Sequence, residues 1–193
     1  MELNARAPSA LTLEIPSWLD EIAHDFPTLL GDDEARMALV IRLSAENVAR
    51  GGGPFGAAVF LEQRLLAVGV NLVLASGFSL AHAEIIALLR AQVELGKGAT
   101  LALPPLTLYA SAEPCCQCFG ALVWAGVRRL VCGATTTDVE AAGFDEGPKP
   151  ERWVDLLEQR GVSVVEGMQR SDAVSVLRDY VAQGGVIYGK RAP

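Results

Sequence analysis

The chain has 193 residues, of which 51% are hydrophobic, so it can bury one substantial core and is about the size of one domain. Its 16 basic and 23 acidic side chains give a formal charge of −7, which argues against nucleic acid or an anionic membrane as a partner. The sequence shows no secretory signal pattern and no apolar run of membrane-spanning length. We therefore expect a cytoplasmic protein with neither a nucleic-acid nor a membrane partner.

The sequence of the N-terminal third of the chain predicts an extension, then a helix and then a pair of strands. The extension has three prolines and no sustained apolar period, so only a short amphipathic turn is expected, at 17–26. After Gly31, two aspartates offer an N-cap, and apolar residues recur at helical spacing until the glycines at 51–53. Two short apolar segments, 55–61 and 65–72, then predict antiparallel strands joined by a tight connection.

The rest of the chain alternates between helical and strand patterns. In order, the sequence predicts a helix at 81–95 capped by Ser79, a strand at 106–111, a helix at 114–126 beginning with Pro114, a strand at 129–133, a helix at 153–160, a strand at 162–165 and a helix at 172–182. Two antiparallel strands followed by strand–helix units predict an α/β fold of three layers. Its central mixed sheet should have about five strands, with helices on both faces.

The chemistry-bearing residues are concentrated at the starts of two predicted helices. His82 and Glu84 stand at the first, and Cys115 and Cys118 stand at the second. One histidine and two thiolates leave the fourth tetrahedral position of Zn²⁺ open, as in a catalytic rather than a structural site. Helix N-termini also lower thiol pKa values, which favours the thiolates that metal binding requires. We therefore predict one zinc ion per chain.

Glu84 is the predicted general acid/base of this site. Two thiolates cancel the charge of the ion, so that a bound water is less acidified than on a zinc held by histidines alone. Such a site gains from a proton acceptor that is not itself a ligand, and Glu84 lies only two positions after His82. It could take a proton from the attacking water and deliver protons to departing ammonia.

The other thiols and the second histidine have less specific interpretations. Cys116 could in principle pair with Cys118, but the i, i+3 pair with Cys115 fits one helical face better, so Cys116 is assigned to a small-residue position. Cys132 is predicted to be a buried strand residue, and His24 a surface side chain. The alternatives are core cysteines without a metal and a structural zinc that takes Cys132 or His24 as its fourth ligand.

The paired motifs, His-x-Glu and Pro-Cys-x-x-Cys, resemble those of the cytidine deaminase superfamily from about Asp33 to the C-terminus. The chain is most similar to the bacterial guanine deaminase branch, in the segments 52–57, 81–84, 111–115 and 138–148. The resemblance implies a zinc-dependent deaminase domain over 31–193, preceded by the extension 1–30. It also implies conversion of guanine to xanthine and ammonia in purine catabolism. Ammeline-type aminotriazines, guanosine and cytosine stay open as substrates, and a tRNA adenosine deaminase is a more distant alternative.

The resemblance also implies substrate-binding residues. Glu146, the second acid of a Gly-Phe-acid-acid loop, would meet the substrate ring and share in proton handling; otherwise it and Asp145 only cap or solvate a turn. Asn71 would hydrogen-bond the purine, or else be a turn residue. Phe55 would pack on the base, or else belong to the core. Ala83, inside the His-x-Glu motif, is a further implied contact of the substrate.

The same resemblance implies a homodimer. The C-terminal segment, 184–193 here with Tyr188 as its aromatic residue, can cross to the partner and close its site. Trp124, nine residues after Cys115, fits the core, a dimer interface or a wall of the pocket.

Overall fold

The computed structural model describes residues 11–26, 31–96 and 104–188, which form a central sheet covered by helices. The strands are β1 (Gly56–Leu61), β2 (Arg64–Val70), β3 (Leu106–Ala112), β4 (Val127–Ala134) and β5 (Ser163–Val165). The helices are α1 (Trp18–His24), α2 (Asp33–Ala49), α3 (Val73–Ser76), α4 (Ala83–Leu95), α5 (Cys116–Trp124), α6 (Thr136–Ala141), α7 (Trp153–Glu158) and α8 (Arg170–Ala182). None of these helices combines the length and the apolar character needed to cross a membrane.

The sheet is mixed, as the sequence predicts, and its strand order is β2-β1-β3-β4-β5. β1 is antiparallel to both β2 and β3, whereas β3, β4 and β5 run parallel. Parallel neighbours need a crossover connection, and α5 supplies it between β3 and β4. Because β1 runs opposite to its neighbours, it begins at the edge where β2 and β3 end.

Helices cover both faces of the sheet and bury alternate residues of the strands. On one face, α1 and α2 pack over side chains such as Phe60 and Tyr109, and α8 packs against α2 and β4. On the other face, α4, α5 and α7 pack over side chains such as Leu108 and Leu130. The neighbours Leu108 and Tyr109 are both fully buried, on opposite faces, because successive strand residues alternate in direction. The predicted three-layer α/β fold is confirmed.

Both zinc-motif helices begin later than the sequence predicts. Ser79 and Pro114 are not the cap and first residue of these helices; the N-cap positions are occupied by His82 and Cys115, whose backbones are extended. The segment before α4 is held by a hydrogen bond from the Leu72 N–H to the Ala81 carbonyl, 2.9 Å long. The predicted metal ligands therefore stand at the very ends of their helices.

Two short helices, α3 and α6, have no counterpart in the prediction. α6 begins with a capping box in which Thr135 and Asp138 each bond the backbone N–H of the other. A threonine followed three positions later by an acid is a recognisable start signal for a helix. The signal is present in the sequence, but α6 is only six residues long and carries little apolar periodicity.

Gly69 on β2 lets α4 approach the sheet closely. A Cβ at this position would lie against the backbone carbonyl oxygen of Ala83 and 2.5 Å from the backbone nitrogen of Ala87. A side chain would therefore push the first turn of α4 away from the sheet. That turn carries Glu84, so the glycine helps to place this residue.

The predicted turn at 17–26 is the helix α1, whose Leu19 is completely buried. Asp20 of α1 also forms an exposed ion pair with Arg90 of α4. The outer parts of the predicted extension, 1–10 and 27–30, and the end of the C-terminal segment, 189–193, lie outside the described residues.

Candidate active site

The structure brings the three predicted metal ligands together. His82 Nδ1 lies 3.4 Å from the Cys115 Sγ and 3.6 Å from the Cys118 Sγ, and the potential ligand atoms of the three residues all lie within 4.8 Å of one another. Tetrahedral zinc with bonds of about 2.0 Å to nitrogen and about 2.3 Å to sulfur separates such atoms by about 3.5 Å. This donor set therefore fits zinc with one position left for a further ligand.

The three side chains favour different protonation states, and one of the two thiols already favours the thiolate that a metal ion needs. Hydrogen bonding to Cys118 and His82 outweighs burial and lowers the pKa of the Cys115 thiol to about 4. Burial opposes a charged imidazole, but the bond to Cys115 and the nearby Glu84 raise the pKa of His82. The hydrogen bond to the Cys115 thiolate, together with burial, raises the pKa of Cys118. The Cys115 thiolate thus forms readily, whereas a bound cation would be needed to deprotonate Cys118.

Glu84 faces the same cavity without joining the ligand group. It is buried in the first turn of α4, and its side chain lines the cavity beside His82 and Cys115. Burial and the Cys115 thiolate raise the pKa of its carboxyl group. A buried carboxyl group beside a potential metal site, with no ion pair to Lys or Arg among the described residues, is suited to moving protons.

The structure distinguishes the two acids of the predicted loop. Asp145 also borders the cavity, but it is exposed and accepts a 2.8 Å hydrogen bond from the Gly147 N–H, so it caps the turn. Glu146 is buried and lines the cavity, and its Oε2 has no hydrogen-bond partner among the described residues. Burial, followed by the Cys115 thiolate, raises the pKa of Glu146 to about 8, although Lys149 opposes this shift. A buried, unpaired carboxyl group in a cavity points to a ligand that would satisfy it.

Asn71 directly follows β2 and lines the same cavity. Its Oδ1 accepts a hydrogen bond from the Val73 N–H at 3.1 Å, which leaves the side-chain amino group to donate elsewhere. The buried Asn47 of α2 holds this corner, because its amide donates to the carbonyl oxygens of Gly53 (2.7 Å) and Asn71 (2.9 Å). Asn71 is therefore both a turn residue and a wall of the cavity.

The two remaining predicted contacts differ in their placement. Phe55 is half-buried and lines the cavity, where its ring meets that of Phe144 edge-on at 5.0 Å, and it also packs against the core. Phe55 is thus partly a core residue, and its packing on a base stays a prediction. Ala83 is buried in the core, and it is not among the residues that line the cavity. Only its backbone, at the first position of α4, could reach a ligand.

Two aromatic residues line the cavity, and the sequence pattern assigns no role to one of them. Phe144 belongs to the predicted loop, and Tyr188 comes from the C-terminal segment of the same chain; their rings meet edge-on at 5.4 Å. The Tyr188 hydroxyl is buried and has no hydrogen-bond partner among the described residues. Alternation and helical spacing say nothing about Phe144, because it lies in an irregular loop.

Cys132 and His24 are placed as the sequence predicts. Cys132 is fully buried on β4, where its thiol bonds the Val165 carbonyl oxygen at 3.5 Å, and His24 is exposed. Neither belongs to the group of potential ligands found in the part of the chain that the structure describes. The alternative of a closed zinc site with four protein ligands therefore has no support there.

Comparison with known proteins places the site in a family context. The model of the cytidine and deoxycytidylate deaminase zinc-binding region matches residues 30–134. A guanine deaminase of Bacillus subtilis is 38% identical over 114 residues, which are 58% of this chain and 71% of that protein. The solved structure of a guanine deaminase from Nitrosomonas europaea is 45% identical and superimposes with a TM-score of 0.85, over 92% of this chain and all of that one. A related variant protein, solved with 8-azaguanine, is also 45% identical, with a TM-score of 0.83 over 93% of this chain and all of that one.

Proposed function

The chain belongs to the cytidine and deoxycytidylate deaminase zinc-binding family, and we propose on this premise that it hydrolyses guanine to xanthine and ammonia. The observation that carries the proposal is the convergence of two buried carboxyl groups, Glu84 and Glu146, on a cavity beside a zinc-type donor set. The similarity to guanine deaminases in sequence and structure supports the choice of substrate.

His82, Cys115 and Cys118 would hold one zinc ion per chain. When bound, the ion would polarise a water molecule and so supply a nucleophile near neutral pH. The three ligand atoms, at distances that suit tetrahedral zinc, support this role. The position of Cys115 at the N-cap of α5 supports it further, because the helix dipole stabilises thiolate charge.

Glu84 is the proposed proton carrier. As the water oxygen attacks C2 of guanine, Glu84 takes one proton from it and passes this proton to the amino nitrogen. The C2–N bond then breaks and ammonia leaves. The second proton of the water ends on a ring nitrogen, so that the C2 carbonyl of xanthine forms. The burial of Glu84 and its place in the cavity wall support this role.

The remaining cavity residues are proposed to recognise the base. Glu146 would accept the N1–H of guanine, which lies next to the amino group that is lost. Asn71 would donate its free amino group to a ring acceptor, and Phe55 would pack on the ring. Ala83 would contribute its backbone N–H, one of the first-turn donors that a helix leaves unpaired.

A free base fits this site better than a nucleoside or a tRNA. Phe144 and Tyr188 stand at the cavity, where a ribose would have to compete with their rings. The charge of −7 also disfavours a polyanionic substrate. Guanosine, ammeline-type aminotriazines and cytosine are the second candidates, because each presents an amino carbon beside a ring nitrogen.

Ammonia release from a panel of bases tests the proposed substrate. The purified zinc-loaded chain should release ammonia from guanine with a kcat/KM at least about tenfold above its values for guanosine, ammeline, cytosine and adenosine. A low value for guanosine is expected because the ring of Tyr188 lines the cavity, where a ribose would have to compete with it. Activity on another member of the panel but not on guanine would overturn the proposed substrate and leave the deaminase chemistry in place.

A homodimer is proposed through the outer face of α4 and α5. Trp124 is 85% exposed there and lines the same surface depression as the exposed Leu89, and Val93 of α4 is exposed as well. So large an apolar patch, on helices that carry the zinc motifs, is typical of an interface. Sedimentation of the wild type should give twice the mass of one chain, and sedimentation of Trp124→Glu should give the mass of one chain. A wild-type monomer at micromolar concentration would contradict the dimer.

Exchange of the C-terminal segment between partners stays a prediction. In this structure Tyr188 lies at the cavity of its own chain.

Two further assignments belong to the proposal. The deaminase domain spans 31–193, with 1–30 as an extension that contributes α1. The cytoplasm is the proposed location, because the four cysteines are free thiols and the proposed zinc ligands need a reducing compartment.

A further inference from the structure

A buried ion pair lies directly behind the acidic loop. The Lys149 Nζ is 3.5 Å from a carboxylate oxygen of Glu113, and each side chain is only 6% exposed. The ammonium also donates to the Thr136 hydroxyl and lies 4.8 Å from the centre of the Trp153 ring. Buried charges are costly unless they are paired and hydrogen-bonded, and this pair meets both conditions.

The pair joins two segments that carry different parts of the site. Glu113 lies at the end of β3, two residues before the proposed ligand Cys115. Its carboxylate is fixed by the N–H (2.9 Å) and the hydroxyl (2.6 Å) of Thr136. Lys149 follows Glu146 by three residues. The ion pair therefore connects the strand that delivers a ligand to the loop that delivers the second carboxyl group.

The loop between these residues is tightly constrained. The backbone N–H of Cys116 donates to the Glu146 carbonyl oxygen at 2.9 Å, and the N–H of Lys149 donates to the Gly147 carbonyl oxygen at 2.7 Å. Gly147 has a φ of +67°, and a Cβ on it would lie 2.5 Å from the Cys116 sulfur. Cys116 thus packs against the loop and bonds the Glu146 backbone, and Lys149 bonds the backbone of the next residue, Gly147.

We propose that Lys149 is a positioning residue, which holds the Glu146 carboxyl group in the cavity through its buried ion pair with Glu113. The inference rests on the proposed function for the role of Glu146. Lys149 itself is not among the residues that line the cavity, so it acts through the loop rather than on the substrate. Its short backbone link to Gly147 transmits its position to Glu146.

The substitution Lys149→Met should lower kcat/KM by roughly 10- to 100-fold with zinc content unchanged, because small displacements of reacting groups have effects of that size. The discriminating measurement is the same substitution in a Glu146→Gln background. If Lys149 acts through Glu146, the second substitution there should cost less than about threefold. Arg152→Ala is the matched control, because it breaks an ion pair that Arg152 forms with Asp155 at the exposed surface. The activity of this variant should equal that of the wild type.

Two outcomes would overturn the proposal. An equal loss from Lys149→Met in both backgrounds would show that Lys149 supports the fold in general, and an unchanged kcat/KM would show that it has no role. If the single variant Lys149→Met does not fold, because the buried Glu113 carboxylate has lost its partner, the double variant Glu113→Gln/Lys149→Met takes its place in the cycle. This double variant removes both charges of the pair. The double-mutant cycle is measured with the base that the ammonia-release panel identifies as the substrate. A wrong substrate then shows in the panel, whereas a wrong role for Lys149 shows in the cycle.

Discussion

Glu84→Gln should lower kcat by roughly 10²- to 10⁴-fold, the usual contribution of a positioned proton carrier. Glutamine has nearly the shape of glutamate, so it should fill the same buried position in the first turn of α4. Its amide, however, can neither take a proton from the attacking water nor pass one to the departing amino nitrogen. Steady-state ammonia release on guanine, with the zinc content measured in the same samples, is the appropriate experiment.

Two reference variants make this result specific. Glu94→Gln changes a carboxylate on the same helix that is exposed and faces Arg64, so its activity should equal that of the wild type. Cys118→Ser removes a proposed ligand, so it should lose zinc and activity together. Glu84→Gln should lose activity but keep zinc. Near-normal turnover in Glu84→Gln would contradict the role of Glu84, and loss of zinc would make Glu84 a ligand.

The fold and the metal-type cluster were predictable from the sequence because each leaves a local signal. Apolar periodicity locates the strands and the long helices, and the motif spacing places His82, Cys115 and Cys118 at helix starts. The starts of these two helices are displaced by two residues each. In both cases tertiary hydrogen bonds, such as the one from the Glu113 N–H to the Ala134 carbonyl oxygen, keep the preceding residues extended.

The walls of the cavity were less predictable because they depend on contacts between distant segments. Phe144 and Tyr188 lie 44 residues apart, and both are outside helices and strands. The buried pair of Glu113 and Lys149 is similarly invisible, since charged residues in a sequence are normally expected at the surface. In each case the burial comes from the folding of loops over the edge of the sheet, and no periodicity reports it.

Glu146→Gln should lower kcat/KM by at least roughly 10²-fold, because glutamine cannot take up a proton and puts an N–H donor in place of one of the two carboxylate oxygens of this buried cavity residue. The neighbouring acid provides the control: Asp145→Asn keeps an oxygen that can accept from the Gly147 N–H and should change kcat/KM less than about threefold. Ammonia release with guanine, together with the zinc content of each variant, measures both effects. Equal effects of the two substitutions would assign the acids to the turn alone. A large loss confined to Glu146→Gln with zinc retained would make this buried carboxyl group part of the substrate site, as its missing partner in the structure implies.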